Sequence, residues 1–193
     1  MKYGYALVAI DLQEDFREDT EPNLLFESNI INLFAYCRSN GIEIIHINGL
    51  FKKDKTNWLN WTKLRGNTVL LEGSGGEKRL PYALSEQNEK EIIKNTFDGF
   101  LNTDLEEYLN ERKIKGLLIC GLITSVCVLI TALTAIQKGF LVSVLSDCCS
   151  DSSKTHDFIL NEYDYLINPI KENEITERIM EMDNEIDKLL LCK

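Results

Sequence analysis

Residues 116–137 read GLLICGLITSVCVLITALTAIQ, a stretch without a single charge. About 20 apolar residues suffice to cross a bilayer, so the first decision is between a membrane span and a buried core element. Gly121 and the pair Thr124 and Ser125 interrupt the run, no Trp or Tyr marks either end, and Thr131, Thr134 and Gln137 fall inside it. The pattern predicts a buried strand over 117–120, a tight turn, and a buried helix over 125–138 that stops at Gly139. No membrane partner is expected.

Working outward, residues 141–145 form the next apolar run, which completes a strand, helix, strand unit. The same unit occurs near the start of the chain. Residues 5–10 are a nearly continuous apolar strand, 28–40 have helical spacing with Gly41 as a stop, and 42–47 read as a second strand. Repeated units of this kind dictate a parallel sheet with right-handed crossovers, so the fold class is α/β, doubly wound, with helices on both faces. One domain over residues 1–193 is expected.

Residues 52–87 form an irregular excursion from the sheet, with a possible strand at 68–71. Residues 91–94 read as a short strand, and the Thr103-to-Glu106 pattern as a capping box opening a helix to about residue 112. A helix over 154–162 and a strand over 165–167 would complete the sheet. The final helix, 172–191, lines up Ile175, Ile179, Met182, Ile186, Leu189 and Leu190 on one stripe. Such a stripe docks on its own domain or receives a partner helix, and a homo-oligomer is expected.

Of the 193 residues, 21 are Lys or Arg and 31 are Asp or Glu, a net charge of −10, with no basic run to neutralise a phosphate backbone. Nucleic acid is therefore excluded as an expected partner. Six cysteines without C-x-x-C or Cys/His spacing read as reduced thiols, and the first residues carry no signal or transit pattern. The expected location is the cytoplasm.

In open parallel sheets, ligands bind at the carboxyl ends of strands. Three reactive residues fall there: Asp11 after the first strand, Lys94 at the end of the short one, and Cys127 just after the turn of the opening stretch. Each has a bland use as a turn residue, a solvated cation or core packing. Together they supply a nucleophile, a base and a cation, converging from neighbouring strand ends. A helix start and a nearby Lys94 would lower the Cys127 thiol toward thiolate, Asp11 could take its proton, and amides of the 124–127 turn would face an oxyanion. His46, within a strand pattern, reads as an interior or rim residue.

The segments that carry these residues resemble the isochorismatase-like cysteine hydrolases. They are AIDLQEDF at 9–16, KNTFDGF at 94–100 followed by Thr103 to Leu105, CGLITSVCV at 120–128 with Thr131 and Ala132, and SDCCS at 146–150 followed by His156. The similarity spans about residues 6–156. It implies a triad of Asp11, Lys94 and Cys127, a non-proline cis peptide near Ile123 and Thr124, and an oxyanion hole from the backbone of Ile123, Thr124 and Cys127. Nicotinamidase-type members of that family carry an Asp-x-His-x-x-x-His metal site, whereas residues 54–61 here read DKTNWLNW. No metal and no cofactor are expected.

A small-molecule pocket lined by Phe16, Trp58, Trp61, Phe97 and Phe100 is expected beside the triad. The function read from these residues is metal-independent cysteine amidohydrolysis of a small amide or carbamoyl compound. Three alternatives stay open: a vinyl-ether hydrolase in which Cys127 is dispensable, a non-catalytic interaction protein, and a thiol redox protein using Cys127 with Cys148 or Cys149.

Overall fold

The computed structural model describes residues 1–66 and 69–192. Five strands, β1 (Gly4–Ile10), β2 (Glu43–Gly49), β3 (Lys90–Lys94), β4 (Ile114–Leu122) and β5 (Leu141–Ser150), form one sheet in the order β3-β2-β1-β4-β5. All four pairings are parallel. The apolar runs of β1 and β4 sit at its centre, buried along almost their whole length. This is the doubly wound α/β architecture.

From β1 the chain steps through α1 (Phe26–Asn40) to β2, and through the excursion with α2 (Asn60–Arg65) to β3. It then jumps back and proceeds the other way, through α3 (Leu105–Glu111) to β4 and through α4 (Leu129–Gln137) to β5. Right-handed crossovers in opposite directions put the two sets of helices on opposite faces. The reversal lies between β1 and β4, where such sheets open a crevice at the carboxyl ends of their strands.

Several sequence expectations need correction. Residues 165–167 are not a strand but belong to a short helix, α6 (Asp164–Ile167), after α5 (Ser153–Glu162). The contact expected of that strand is made instead by Ile170, which forms a single parallel bridge with Leu145. The proposed strand at 68–71 lies partly outside the described residues, and of the rest only Leu71 makes a bridge, to Phe51. No capping box forms ahead of α3: the Thr103 hydroxyl donates to Gly99 O at 2.6 Å and the Glu106 carboxylate accepts from Lys138 at 2.5 Å. In α7 (Ile175–Leu191), Ile175, Ile179, Met182 and Ile186 dock on the core, but Leu189 and Leu190 are about half exposed. No helix among the described residues is long and apolar enough to cross a membrane.

His46 is a satisfied interior histidine. Its Nε2 lies 2.8 Å from Glu89 Oε2, and its ring meets Phe34 edge-on. Burial alone would raise the Glu89 carboxyl, but hydrogen bonds from Arg38, the Glu86 N–H and His46 hold it down at about 2. A depressed carboxyl contributes stability above its unfolded value of 4.5 and loses that contribution as pH falls toward 2. Glu89→Gln should therefore destabilise the protein at pH 7 and cost progressively less below pH 4.5, a trend checked by urea melts at pH 7 and pH 3.

Candidate active site

Asp11, the first residue past β1, has φ of 49°, in the left-handed region that Asp tolerates better than most residues. Its N–H donates to Ile47 O at 2.8 Å, which fixes the turn and aims the carboxylate along the sheet end. There the Gly49 N–H donates to Asp11 Oδ1 at 2.9 Å.

Lys94 ends β3, which is not adjacent to β1, because β2 lies between them. The expectation of neighbouring strand ends is corrected accordingly: Lys94 reaches across β2 at Gly49, its register partner. A Cβ on Gly49 would lie 2.3 Å from Leu70 Cδ1 and 3.4 Å from Asp11 Oδ1, so the bare backbone keeps this crossing open. Lys94 Nζ donates to Asp11 Oδ2 at 2.7 Å and to Thr96 O at 2.9 Å, and lies 3.5 Å from Cys127 Sγ.

Gly121 near the end of β4 has φ of 121°, and a Cβ there would lie 2.0 Å from Ile10 O. Only glycine allows β4 to press against β1 at this height. The cis peptide joins Leu122 to Ile123, one bond before the position expected. The chain then enters a π-turn, Thr124–Val128, before α4. Cys127 thus sits inside a widened turn ahead of the α-helix, a form of turn that recurs at functional sites.

Side chains from the end of β5 and from α5 clamp this turn. Asp151 Oδ2 accepts from the Ser125 N–H at 3.0 Å, and Thr124 Oγ1 lies 2.8 Å from His156 Nδ1. The Val126 N–H donates to Ile123 O at 3.1 Å. Two amides of the turn are thereby engaged, and the expected oxyanion donors, Ile123, Thr124 and Cys127, flank them.

The three side chains are buried, Asp11 at 0%, Lys94 at 3% and Cys127 at 6% exposure. Burial pushes the Cys127 thiol well above its ordinary value, the Asp11 carboxylate pushes the same way, and Lys94 offsets only part of this. Burial alone would lower the Lys94 ammonium, but Asp11 and Cys127 hold it above its ordinary value. Lys94 and Asp11 already neutralise each other, so a thiolate would bring an uncompensated charge into a buried site. These directions favour a neutral thiol beside the Asp11 carboxylate and a charged lysine over a thiolate. A resting thiolate, expected from the sequence, is corrected for this reason.

A cavity of about 50 Å³ adjoins the three groups. Phe16 and Phe97 line it, together with Phe51, Val69, Leu70 and Thr62. Trp58 stands behind the wall, packed edge-on against Phe51, with its indole N–H donated to Lys52 O at 2.8 Å. Trp61 is half exposed and meets the outer side of Phe97, while Phe100 stacks on Phe140 away from the cavity. These three are not among the residues that line the cavity. Both Trp residues fall on the excursion and serve to hold the wall, a use that aromatic composition does not distinguish from lining.

Gln13 was not singled out from the sequence. Its Oε1 accepts from the Gly49 N–H at 2.8 Å, and its Nε2 donates to Gly49 O at 3.0 Å and Glu77 O at 2.6 Å. The side chain ties the Asp11 support to the excursion. Its place two residues past Asp11 in the same turn was the available signal.

The residues present do not fit the metal site of nicotinamidase-type proteins. Asp54 is turned to its own loop, accepting from the Thr56 N–H at 3.0 Å and the Thr56 hydroxyl at 2.7 Å, and no histidine lies in 52–87. Among the described residues, no group of three or more His, Cys, Asp or Glu could hold a metal ion. Cys148 and Cys149 are fully buried in β5, and burial pushes both thiols up, Cys149 to about 12. Such thiols pack; they do not exchange readily.

A family model described as the isochorismatase domain matches residues 5–171. The uncharacterized isochorismatase family protein PncA of Bacillus subtilis (strain 168) is 30% identical over 154 residues, covering 72% of this chain and 82% of that protein. Nicotinamidase 3 of Arabidopsis thaliana is 25% identical over 144 residues, 74% of this chain and 71% of that protein. The crystal structure of a cysteine hydrolase from Pseudomonas syringae pv. phaseolicola 1448A superimposes with a TM-score of 0.85 at 19% identity, over 94% of both chains, which shows a shared fold. With the match running from the first strand to beyond the last, the chain belongs to the isochorismatase family of hydrolases.

Proposed function

We propose that this hydrolase is a metal-independent cysteine amidohydrolase that cleaves the C–N bond of a small amide or carbamoyl compound through a thioester. The observation that carries this reading is the buried contact of Lys94 Nζ with both Asp11 Oδ2, at 2.7 Å, and Cys127 Sγ, at 3.5 Å. A carboxylate beside a neutral thiol is a base in place, and an ammonium beside both stabilises the sulfur anion as it forms.

The substrate carbonyl carbon is attacked by Cys127 Sγ while the thiol proton passes to Asp11. The carbonyl oxygen takes up the negative charge against the amides of the 123–127 turn. When the C–N bond breaks, Asp11 delivers that proton to the leaving nitrogen, and the acyl group stays on sulfur. Water then attacks the thioester, its proton going to Asp11 and from there back to the departing sulfur, which restores the thiol and releases the acid.

Screening small amides and carbamoyl compounds for ammonia release tests this reading. An active amide should also leave the acyl mass on Cys127 when the reaction is quenched early. Chelators should leave the rate unchanged, since no residue set for a metal exists among those described. Loss of activity on dialysis against EDTA, restored by zinc or iron, would refute metal independence.

A further inference from the structure

The chemical step draws on β1, β3 and the turn after β4, and leaves the end of β5 without a task. Ser150 of β5 pairs with Leu122 of β4, so the next residue, Asp151, stands beside the start of the turn that carries Cys127. That turn has no side-chain cap of its own, since Ile123 stands at its head. Asp151 supplies one from another element: Oδ2 accepts from both the N–H and the hydroxyl of Ser125, while Oδ1 accepts from the Ser152 N–H at 2.7 Å. His156 makes a second attachment one residue earlier, with Nδ1 at 2.8 Å from the Oγ1 of Thr124, which is 1% exposed. The first turn of α5 fixes His156 in turn, its N–H donating to Ser152 O at 2.9 Å.

These attachments come from β5 and the segment after it, beyond β4, whereas Asp11 and Lys94 follow from β1 and β3 on the other side of that strand. Two properties of the site are thereby separated. The ionisation of the thiol answers to burial, Asp11 and Lys94. The placing of the turn's amides answers to where Thr124 and Ser125 are held. A π-turn is an uncommon backbone form, so anchors outside it decide where its amides point. Donors to an oxyanion act only at hydrogen-bond distance from the developing charge, and a misplacement of about 1 Å can cost about 10²-fold in rate.

We propose that Asp151 and His156 are positioning residues for the hydrolytic reaction, which hold Thr124 and Ser125 so that backbone amides of the turn meet the oxyanion. This rests on Cys127 being the nucleophile and deepens that reading, by giving the end of β5 and the start of α5 a role in the rate of acyl transfer.

Two reactions of the same sulfur test it. Iodoacetamide is attacked at its methylene carbon with loss of iodide, and no oxyanion forms. With p-nitrophenyl acetate, Cys127 Sγ attacks the carbonyl carbon, the thiol proton passes to Asp11, the carbonyl oxygen carries negative charge, and p-nitrophenolate leaves the acetyl group on sulfur. Both rates are read at Cys127 by mass spectrometry in the wild type, Asp151→Ala, His156→Ala and His156→Asn. The two alanine variants should lose about 10- to 10²-fold in acetylation and keep the wild-type rate of alkylation. His156→Asn, whose amide places a polar atom close to the position of Nδ1, should recover most of the loss. If Asp151→Ala does not fold, the two His156 variants decide. Alkylation that falls with acetylation, acetylation unchanged in the alanine variants, or His156→Asn as slow as His156→Ala overturns the proposal while the nucleophile stands. If Cys127 of the wild type is alkylated but never acetylated, the thioester reading falls and this proposal falls with it.

Discussion

Cys127→Ala should abolish turnover of any amide the wild type hydrolyses, by a factor on the order of 10⁶, while the protein stays folded. The magnitude follows from covalent catalysis, because without sulfur there is no acyl-enzyme and the Asp11 carboxylate has no thiol proton to take. The structural cost is small by comparison. Cys127 is 6% exposed and lies in a turn held independently by Asp151 and His156, so loss of one sulfur should cost about 1 kcal/mol in a thermal melt. The measurement pairs kcat with a melt, and a folded Cys127→Ala that retains wild-type turnover would remove the covalent mechanism. It would instead favour protonation of the substrate by an acidic group alone, the chemistry open to a vinyl ether.

The elements read most easily from the sequence were those in which burial is written as composition. Residues 117–120 and 5–10 are continuous apolar runs because both faces of a central parallel strand are covered, and each corresponds to a longer observed strand, β4 and β1. Residues 165–167 misled for the converse reason: three residues carry too little periodicity to separate a strand from one turn of helix. The start of α4 was misplaced because a π-turn has the same composition as the first turn of an α-helix, and only the hydrogen-bond pattern separates them.

The three reactive residues could be chosen from the sequence because each falls at a strand end or the turn after it. Their relative placement was less legible. Lys94 crosses β2, and what permits this is the missing side chain at Gly49, a residue that reads in the sequence as an ordinary strand terminus. The ionisation of Cys127 was misjudged because a nearby lysine was counted without the aspartate that already neutralises it. Charge compensation is a property of three side chains at once, and linear spacing does not contain it.

The charge arrangement makes the two partners of Cys127 fail in different ways. In Asp11→Asn the carboxylate that raises the thiol is gone and the Lys94 ammonium is left without its counter-ion. Both changes favour thiolate, so the thiol should ionise at lower pH and react with iodoacetamide faster than the wild type at pH 7. Turnover should nevertheless fall by about 10² to 10⁴, because no group delivers a proton to the leaving nitrogen. In Lys94→Met the cation that partly offsets burial is removed while the carboxylate remains, so the thiol should rise further, and alkylation and turnover should fall together. That variant also leaves Asp11 buried without its partner, which should cost about 3 to 5 kcal/mol of stability. The discriminating measurement is the pH profile of Cys127 alkylation in the three proteins, with labelling sites assigned by mass spectrometry. The midpoint should move down in Asp11→Asn and up in Lys94→Met relative to the wild type. Slower alkylation in a folded Asp11→Asn would mean that Asp11 does not act on the thiol, and the base in the mechanism would have to be sought elsewhere.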